Sequence, residues 1–280
     1  MKRTNRMAAL ALGGLLALSL SACGGEAPAG GVEGALEKLR AAESMEAEMT
    51  LEMDFSLLGQ SIETTTLIDA SSFSDPTKLK ADVTVGLDGL GSVTMLMYAT
   101  MEGDTCTAYV YDGSGWTAQT AELSDLQQYN MQECLDLYLG SGDSYTLVGT
   151  EEIGGSPADK YTGVVRGERL DEVLAASGAA ENLEASAGEL DLAGMYGELG
   201  DLEIAVWVDQ ESGYPARCSI DMTAIMQAAL EKSLAADSEA AELYGTMTMD
   251  KISMVIDCSN FNQAADFDIP AEALAAAGAK

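Results

Sequence analysis

The sequence predicts an α+β fold built on one antiparallel sheet, and three observations point to it. From Met45 to Leu57 the chain alternates strictly, with Met45, Ala47, Met49, Leu51, Met53, Phe55 and Leu57 falling between Glu46, Glu48, Thr50, Glu52, Asp54 and Ser56. A strand turns successive side chains to opposite faces, so this stretch has one apolar face and one acidic face. Similar stretches follow one another across short turns rich in glycine and aspartate, as in an antiparallel meander. Between them lie a few short segments with helical spacing. A sheet with one apolar face needs such helices, or a second sheet, to cover it.

The elements can be justified in order. Lys2, Arg3 and Arg6 precede an apolar run from Met7 to about Leu20, which ends at Leu20-Ser21-Ala22-Cys23. A basic start, an apolar segment and a small-residue exit form a secretory signal over residues 1–22. The run falls short of the roughly 20 residues a membrane span needs. Residues 23–31 form a flexible tether of small residues with one proline. A single domain over 32–280 follows, opening with Val32, Leu36 and Leu39 at helical spacing. After the Met45–Leu57 strand come strands around Ile62 to Ala70, Lys78 to Leu87, Val93 to Met101, Cys106 to Val110, and Trp116 to Thr120. Ser124 to Leu139 reads as a helix with Ser124 as its cap. Strands follow at Tyr145 to Glu152 and Lys160 to Arg166, then a helix near Leu170 to Ala176. Residues 177–200 are rich in Ala, Gly and Glu and read as a helix or a loose insertion. Strands at Leu202 to Val208 and Arg217 to Met222, a helix from Ala224 to Ala235 and a long strand from Tyr244 to Cys258 complete the domain. In that last strand the apolar parity switches from odd (Met247, Met249) to even (Ile252, Met254, Ile256), which predicts a bulge or tight turn near Asp250-Lys251.

Composition excludes several function classes. The 280 residues carry 14 basic and 46 acidic side chains, and loss of Lys2, Arg3 and Arg6 with the signal takes the net charge from −32 to −35. Nucleic-acid binding needs clustered Lys and Arg, which this chain lacks. The charge also opposes flat contact with an anionic membrane. There is no histidine, which removes histidine-based triads, His-ligated zinc and histidine acid–base work. Phosphate-cradling Gly-Lys loops, nucleophile elbows and calcium-loop spacing are also missing. The expectation is a protein that is not an enzyme and carries no cofactor or metal. Beyond Cys23 there are Cys106, Cys134, Cys218 and Cys258. Four cysteines outside the cytoplasm permit two disulfides, with chain proximity favouring Cys106–Cys134 and the strand layout allowing Cys218–Cys258; buried thiols acting as small apolar groups are the alternative.

Leu20 to Cys23 resembles the lipobox of bacterial lipoproteins, in which the cysteine is diacylated and becomes the first residue. That implies lipidation of Cys23 and anchoring on the extracytoplasmic face of the cell membrane. Three further segments carry a second resemblance. They are Tyr109 to Trp116, a strand and glycine turn ending in tryptophan; Val206 to Pro215, whose turn carries Gly213-Tyr214-Pro215; and Phe261 through Asp268-Ile269-Pro270-Ala271-Glu272. In this order, behind a lipobox, they resemble bacterial lipoproteins of the LppX/LprG type and their LolA/LolB-like relatives, over roughly residues 32–275. The resemblance implies a strongly curved antiparallel sheet, a half-barrel, with helices over its concave face and a lipid-sized apolar cavity between. It implies the handling of lipids or lipoproteins and brings no catalytic residues.

The residues add one observation of their own. A methionine stripe (Met45, Met49, Met53, Met95, Met97, Met101, Met247, Met249) falls on the apolar face. Methionine is flexible and polarizable and suits surfaces that accept variable apolar ligands. The candidate lining of a ligand cavity is therefore Met45, Met49, Leu51, Met53, Val83, Val85, Met95, Met97, Met247 and Met249; the alternative is that they are plain core. Two main functions follow: a tethered lipid or amphiphile binder, or a ligand-free envelope interaction or stress-sensing module with an exported protein partner. A carboxylate hydrolase would require two acids facing each other about 5 to 10 Å apart in a cleft, which spacing alone does not supply. Anchoring is directly testable. Cys23→Ala should abolish incorporation of an alkyne fatty acid in cells, and equal label on both proteins would refute the lipobox reading.

Overall fold

The computed structural model describes residues 30–277, apart from 88, 103–104, 122–129, 177–198, 237–240 and 243. The signal, Cys23, the expected cap Ser124 and nearly all of segment 177–200 lie outside the described residues.

Eleven strands form one open antiparallel sheet. In chain order they are β1 (Ser44–Leu57), β2 (Gln60–Ser74), β3 (Thr77–Leu87), β4 (Gly91–Glu102), β5 (Thr105–Tyr111), β6 (Trp116–Ala121), β7 (Asp143–Ile153), β8 (Ser156–Val165), β9 (Leu202–Asp209), β10 (Pro215–Asp221) and β11 (Thr248–Ser259). Five helices accompany them among the described residues: α1 (Gly31–Arg40), α2 (Met131–Ser141), α3 (Gly167–Ala176), α4 (Thr223–Ala236) and α5 (Ala271–Ala277). This is the α+β class on one antiparallel sheet that the sequence predicts, and the open sheet accords with the half-barrel that the resemblance implies. Spatial order is β6-β5-β4-β3-β2-β1-β11-β10-β9-β8-β7. Two meanders, β1 to β6 and β7 to β11, therefore join where the first strand pairs with the last.

That seam runs from Glu46 opposite Ser259 to Ser56 opposite Thr248, with one shift between Asp54 and Phe55. Lys251 faces Asp54 and Met249 faces Phe55, so Asp250 is the extra residue. The parity switch in the sequence is this bulge. It lets Met249 and Ile252 both pack on the apolar side although they are three residues apart.

Helices α1 to α4 lie on the apolar face. Val32, Ala35, Leu36 and Leu39 of α1, Met131, Leu135 and Leu139 of α2, Leu170 and Val173 of α3, and Ile225, Met226 and Ala229 of α4 join one core with the inward residues of the sheet. Each fully buried aliphatic side chain of this kind contributes about 1.5 to 3 kcal/mol. α2 opens at Asn130, whose side chain accepts the Glu133 backbone N–H.

The chain after β11 takes the other face. Residues 260–270 run as a strap from the seam across β1, β2 and β3 and end in α5, which packs on β5 and β6. The strap is pinned at its start by the Asn262 N–H to the Ser44 carbonyl (2.8 Å) and the Glu43 N–H to Asn262 Oδ1 (2.7 Å). Glu46 accepts the Ala265 N–H at 2.9 Å and the Asn260 amide at 2.5 Å. Further on, Phe267 sits edge-on to Phe73 and Tyr98, each at 5.7 Å. Lys78 bonds Asp266 and the Phe267 carbonyl and lies over both phenyl rings.

The Ala265 N–H, the Asn260 amide and the charge of Lys80 outweigh burial and hold the Glu46 carboxyl below its usual range. A carboxylate whose folded pKa is depressed stabilises the fold above its unfolded pKa, and the contribution is lost as pH falls through the folded value. Glu46→Gln should therefore cost no more than about 1 kcal/mol at neutral pH, since solvent still reaches the partly exposed group and screens it. The gap from wild type should close below the carboxylate range, as read by urea midpoints at the two pH values.

Candidate functional site

Register places the candidate lining residues on one face and shows how differently they are covered. One ladder row crosses eight strands as Tyr161, Val206, Cys218, Ile256, Met49, Ile68, Val83 and Met95. The next row reads Ile204, Ile220, Met254, Leu51, Thr66, Val85 and Val93. Along it exposure climbs from 1% at Ile204 and Ile220 to 41% at Val85 and 68% at Val93. A second gradient runs down β1, from buried Met45 and Ala47 to half-buried Met49, Leu51 and Met53.

The apolar face is thus sealed at one end and open at the other. Helix α1 lies against β9 and β10, α4 against β11, and α2 reaches β2. Met45, Val83 and Met97 are closed core. Met49, Leu51, Met53, Met95 and Met249 only flank that core, half-buried. Met247 is half-buried just ahead of β11 rather than within it.

None of the four described cysteines is in a disulfide. The strand layout that allows Cys218–Cys258 does not bring them opposite each other, because Cys218 faces Ile256 and Cys258 faces Ala47. Cys106 faces Met101 across β4 and β5, and Cys134 is buried on α2. Burial pushes the Cys134 and Cys218 thiols up to about 12, so they behave as small apolar groups rather than nucleophiles.

The polar face holds a site that composition does not reveal. Arg217, Asp257, Glu48, Asp69 and Asp82 are successive ladder partners on five strands. Arg217 grips Asp257 through Nε at 2.6 Å and Nη2 at 2.8 Å, and this pairing raises its own pKa. Lys80 approaches Asp82 at 3.1 Å. Glu48 and Asp69 lie between these pairs. The row forms the floor of a hollow of about 800 Å³, bounded by the strap at Asn260, Phe261 and Gln263 and by the turns carrying Gly154 and Ser212. Tyr214 stacks on Phe261 at its rim, 4.2 Å between centroids. Neighbouring strands lie about 4.8 Å apart, so the carboxylates form a line. Among the described residues no three acidic or cysteine side chains converge as metal ligands would. In the sequence each of these acids reads as a solvent-facing position of its own strand. Only pairing register, which local pattern does not encode across turns of unequal length, collects them.

No protein-family model matches the chain, and no curated protein matches it. Among solved structures it is similar to the lipoprotein LppX of Mycobacterium tuberculosis, at 14% identity over 85% of this chain and 96% of that one, with a TM-score of 0.43. It is similar to LprF of Mycobacterium bovis at 14% identity over 86% and 95%, with a TM-score of 0.48. A DUF1329 family protein of Desulfovibrio piger matches at 10% identity over 85% and 93%, with a TM-score of 0.27.

The burial gradient makes a stability prediction. Ile256→Ala, at the sealed end, should cost about 2 to 5 kcal/mol. Met53→Ala should cost less than half as much as Ile256→Ala, because its side chain is only half-buried. Urea denaturation of the two variants and wild type measures the difference.

Proposed function

We propose that the protein is a binding protein rather than a catalyst: an extracytoplasmic lipoprotein, anchored through acyl chains on Cys23, that holds a lipid or another amphiphile against the open end of its helix-covered face. The observation that carries this reading is the burial gradient. Four methionines (Met49, Met53, Met95 and Met249) are half-buried on the same face whose other end is dry and closed. Flexible thioethers at the margin of a core can repack around an acyl chain with little strain. Exposed Val85 and Val93 extend the apolar surface beyond them. No helix among the described residues is long and apolar enough to cross a membrane, and in this reading the acyl chains are the anchor that holds the protein at the bilayer.

The packed end favours a second reading. Met45, Val83 and Met97 are each no more than 5% exposed, as in a solid core, and a ligand-free interaction module on the same fold needs nothing more. Mass spectrometry of organic extracts separates the two, using protein that lacks Cys23 so that only bound lipid is seen. Met95→Trp then reports on the space itself. In a filled core the larger ring costs about 1 to 3 kcal/mol; in ligand space it displaces the lipid at little cost. Lost lipid with a near-native thermal melt supports the binder. A strongly lowered melt with lipid retention unchanged supports the ligand-free module.

A further inference from the structure

The sheet has two edges, and they differ. α5 packs on β6 at one, while β7 at the other is exposed along nearly its whole length. Two irregularities interrupt the pairing of β7 with β8. One lies between Asp143 and Thr146, where Ser144 adopts φ 57°. At the other, Leu147 faces Tyr161 and Gly149 faces Lys160, so Val148 is an extra residue in the ladder. Bulges of this kind protect an edge from pairing with other strands. Here the bulge also leaves two adjacent apolar side chains in solvent, Leu147 at 48% and Val148 at 54% exposure.

The stretch around them carries little charge. From Ser144 to Thr150 there is no ionisable acid or base except the Tyr145 phenol, which bonds the Leu139 carbonyl. Of the acids that bracket the stretch, Glu151 lies 3.0 Å from Lys160, and Asp143 lies 3.9 Å from Arg166, which it shares with Asp201 at 3.2 Å. In a protein of net charge −32, the stretch itself carries no formal charge; the other carboxyls beside it are buried Asp159, which accepts the Thr150 hydroxyl at 2.9 Å, and exposed Glu152 at its end.

It also lies where the tether enters the body. Gly31, the first residue of α1, sits so close to Tyr161 that a methyl group added there would be 3.5 Å from the phenol oxygen. Tyr161 is the ladder partner of Leu147. From Cys23 to Gly31 is eight residues, at most about 29 Å of extended chain. A body of this size has a radius of gyration of about 18 Å and a diameter of about 45 Å. The tether is therefore shorter than the body is wide, so the surface around Gly31 is well within reach of the bilayer and the far side of the body is not. Acidic surface within a Debye length, about 8 Å, is repelled by anionic lipid, so uncharged apolar surface close to the tether, as on the β7 edge, meets the least opposition to settling.

We propose that the β7 edge from Ser144 to Thr150 docks on the membrane, with Leu147 and Val148 entering the headgroup region, and so fixes the orientation of the anchored body. This rests on acyl anchoring at Cys23. The test uses the full lipidated protein, purified from membranes and reconstituted into phosphatidylethanolamine/phosphatidylglycerol vesicles with brominated acyl chains. Val148→Trp, with Leu147→Trp as a second variant in case one folds poorly, is compared with Leu90→Trp in the exposed β3–β4 turn. Emission of wild-type Trp116 and Trp207 is subtracted. The expected result is loss of most of the added emission at 147 or 148 and none at 90. Vesicle-bound protein with no quenching at 147 and 148, or with equal quenching at 90, overturns the docking and leaves the anchor reading standing. Protein that does not associate with vesicles overturns the anchor reading, and the docking with it.

Discussion

Everything in this fold depends on pairing between its first strand and its last. Each meander alone would bury one apolar face under too few helices, and each would end in an unpaired edge at the centre of the molecule. The β1–β11 seam removes both edges at once. It also joins Met49, Leu51 and Met53 to Ile256, Met254 and Ile252 in direct cross-strand contact, where pairs of this kind add to sheet stability beyond burial. The cost is entropic. Residues 46 and 259 must meet, and closure entropy grows with the logarithm of the loop. A sheet whose central pair is its most non-local one is expected to fold slowly.

The seam also decides what each face can do. On the apolar side, α1 and α4 cover the C-terminal meander, so helix coverage is concentrated on β9, β10 and β11. The N-terminal meander extends past that cover; half-buried Met49, Met53 and Met95 lie in this region, and Met249 lies across the seam from it on β11. On the polar side the seam brings Asp257 next to Glu48 and thereby extends Asp69 and Asp82 into a row of four carboxylates. Like charges directly opposite are unfavourable. Arg217 at one end and Lys80 at the other offset part of this, and Glu48 and Asp69 between them are exposed to the open hollow above the row.

Much of the architecture was legible because alternation is a local property. Met45 to Leu57 specifies both its strand and its inward face, and the parity switch at Asp250 specifies a bulge that register confirms. Glycine and aspartate turns fixed the meander order for the same reason. The site was less legible. Whether Met45 is sealed core and Met53 half-open depends on where helices end above them, a tertiary fact with no local signature. The acidic row was invisible because Glu48, Asp69, Asp82 and Asp257 come from four strands and satisfy the same outward pattern as every other acid. The strand layout allowed a Cys218–Cys258 pair, and the two do lie on neighbouring strands, but a two-residue offset in register decides whether they face each other, and strand lists do not contain it.

The three segments that carried the family resemblance turn out to be physically connected. Tyr109 to Trp116 contributes Tyr109 and Trp116 to a small cluster with Tyr98, Phe267, Ile269 and Ala273, so this hairpin is the seat on which the end of the strap rests. The Gly213-Tyr214-Pro215 turn contributes Tyr214, which stacks on Phe261 at the start of the strap and accepts a bond from Asn262. The turn is itself held by Lys38 of α1 through the Ser212 carbonyl. Phe261 to Asp268 is the strap. One turn in each meander therefore grips one end of the same segment, and the strap ties the two meanders together on the polar face as the seam does within the sheet. Aromatic residues are few in this chain, at 6%, and several of them are spent on this attachment. That explains why turn motifs that are individually weak occur together, and in this order: each is useful only if the strap reaches it, and the strap can reach both only because β11 delivers it at the centre of the sheet.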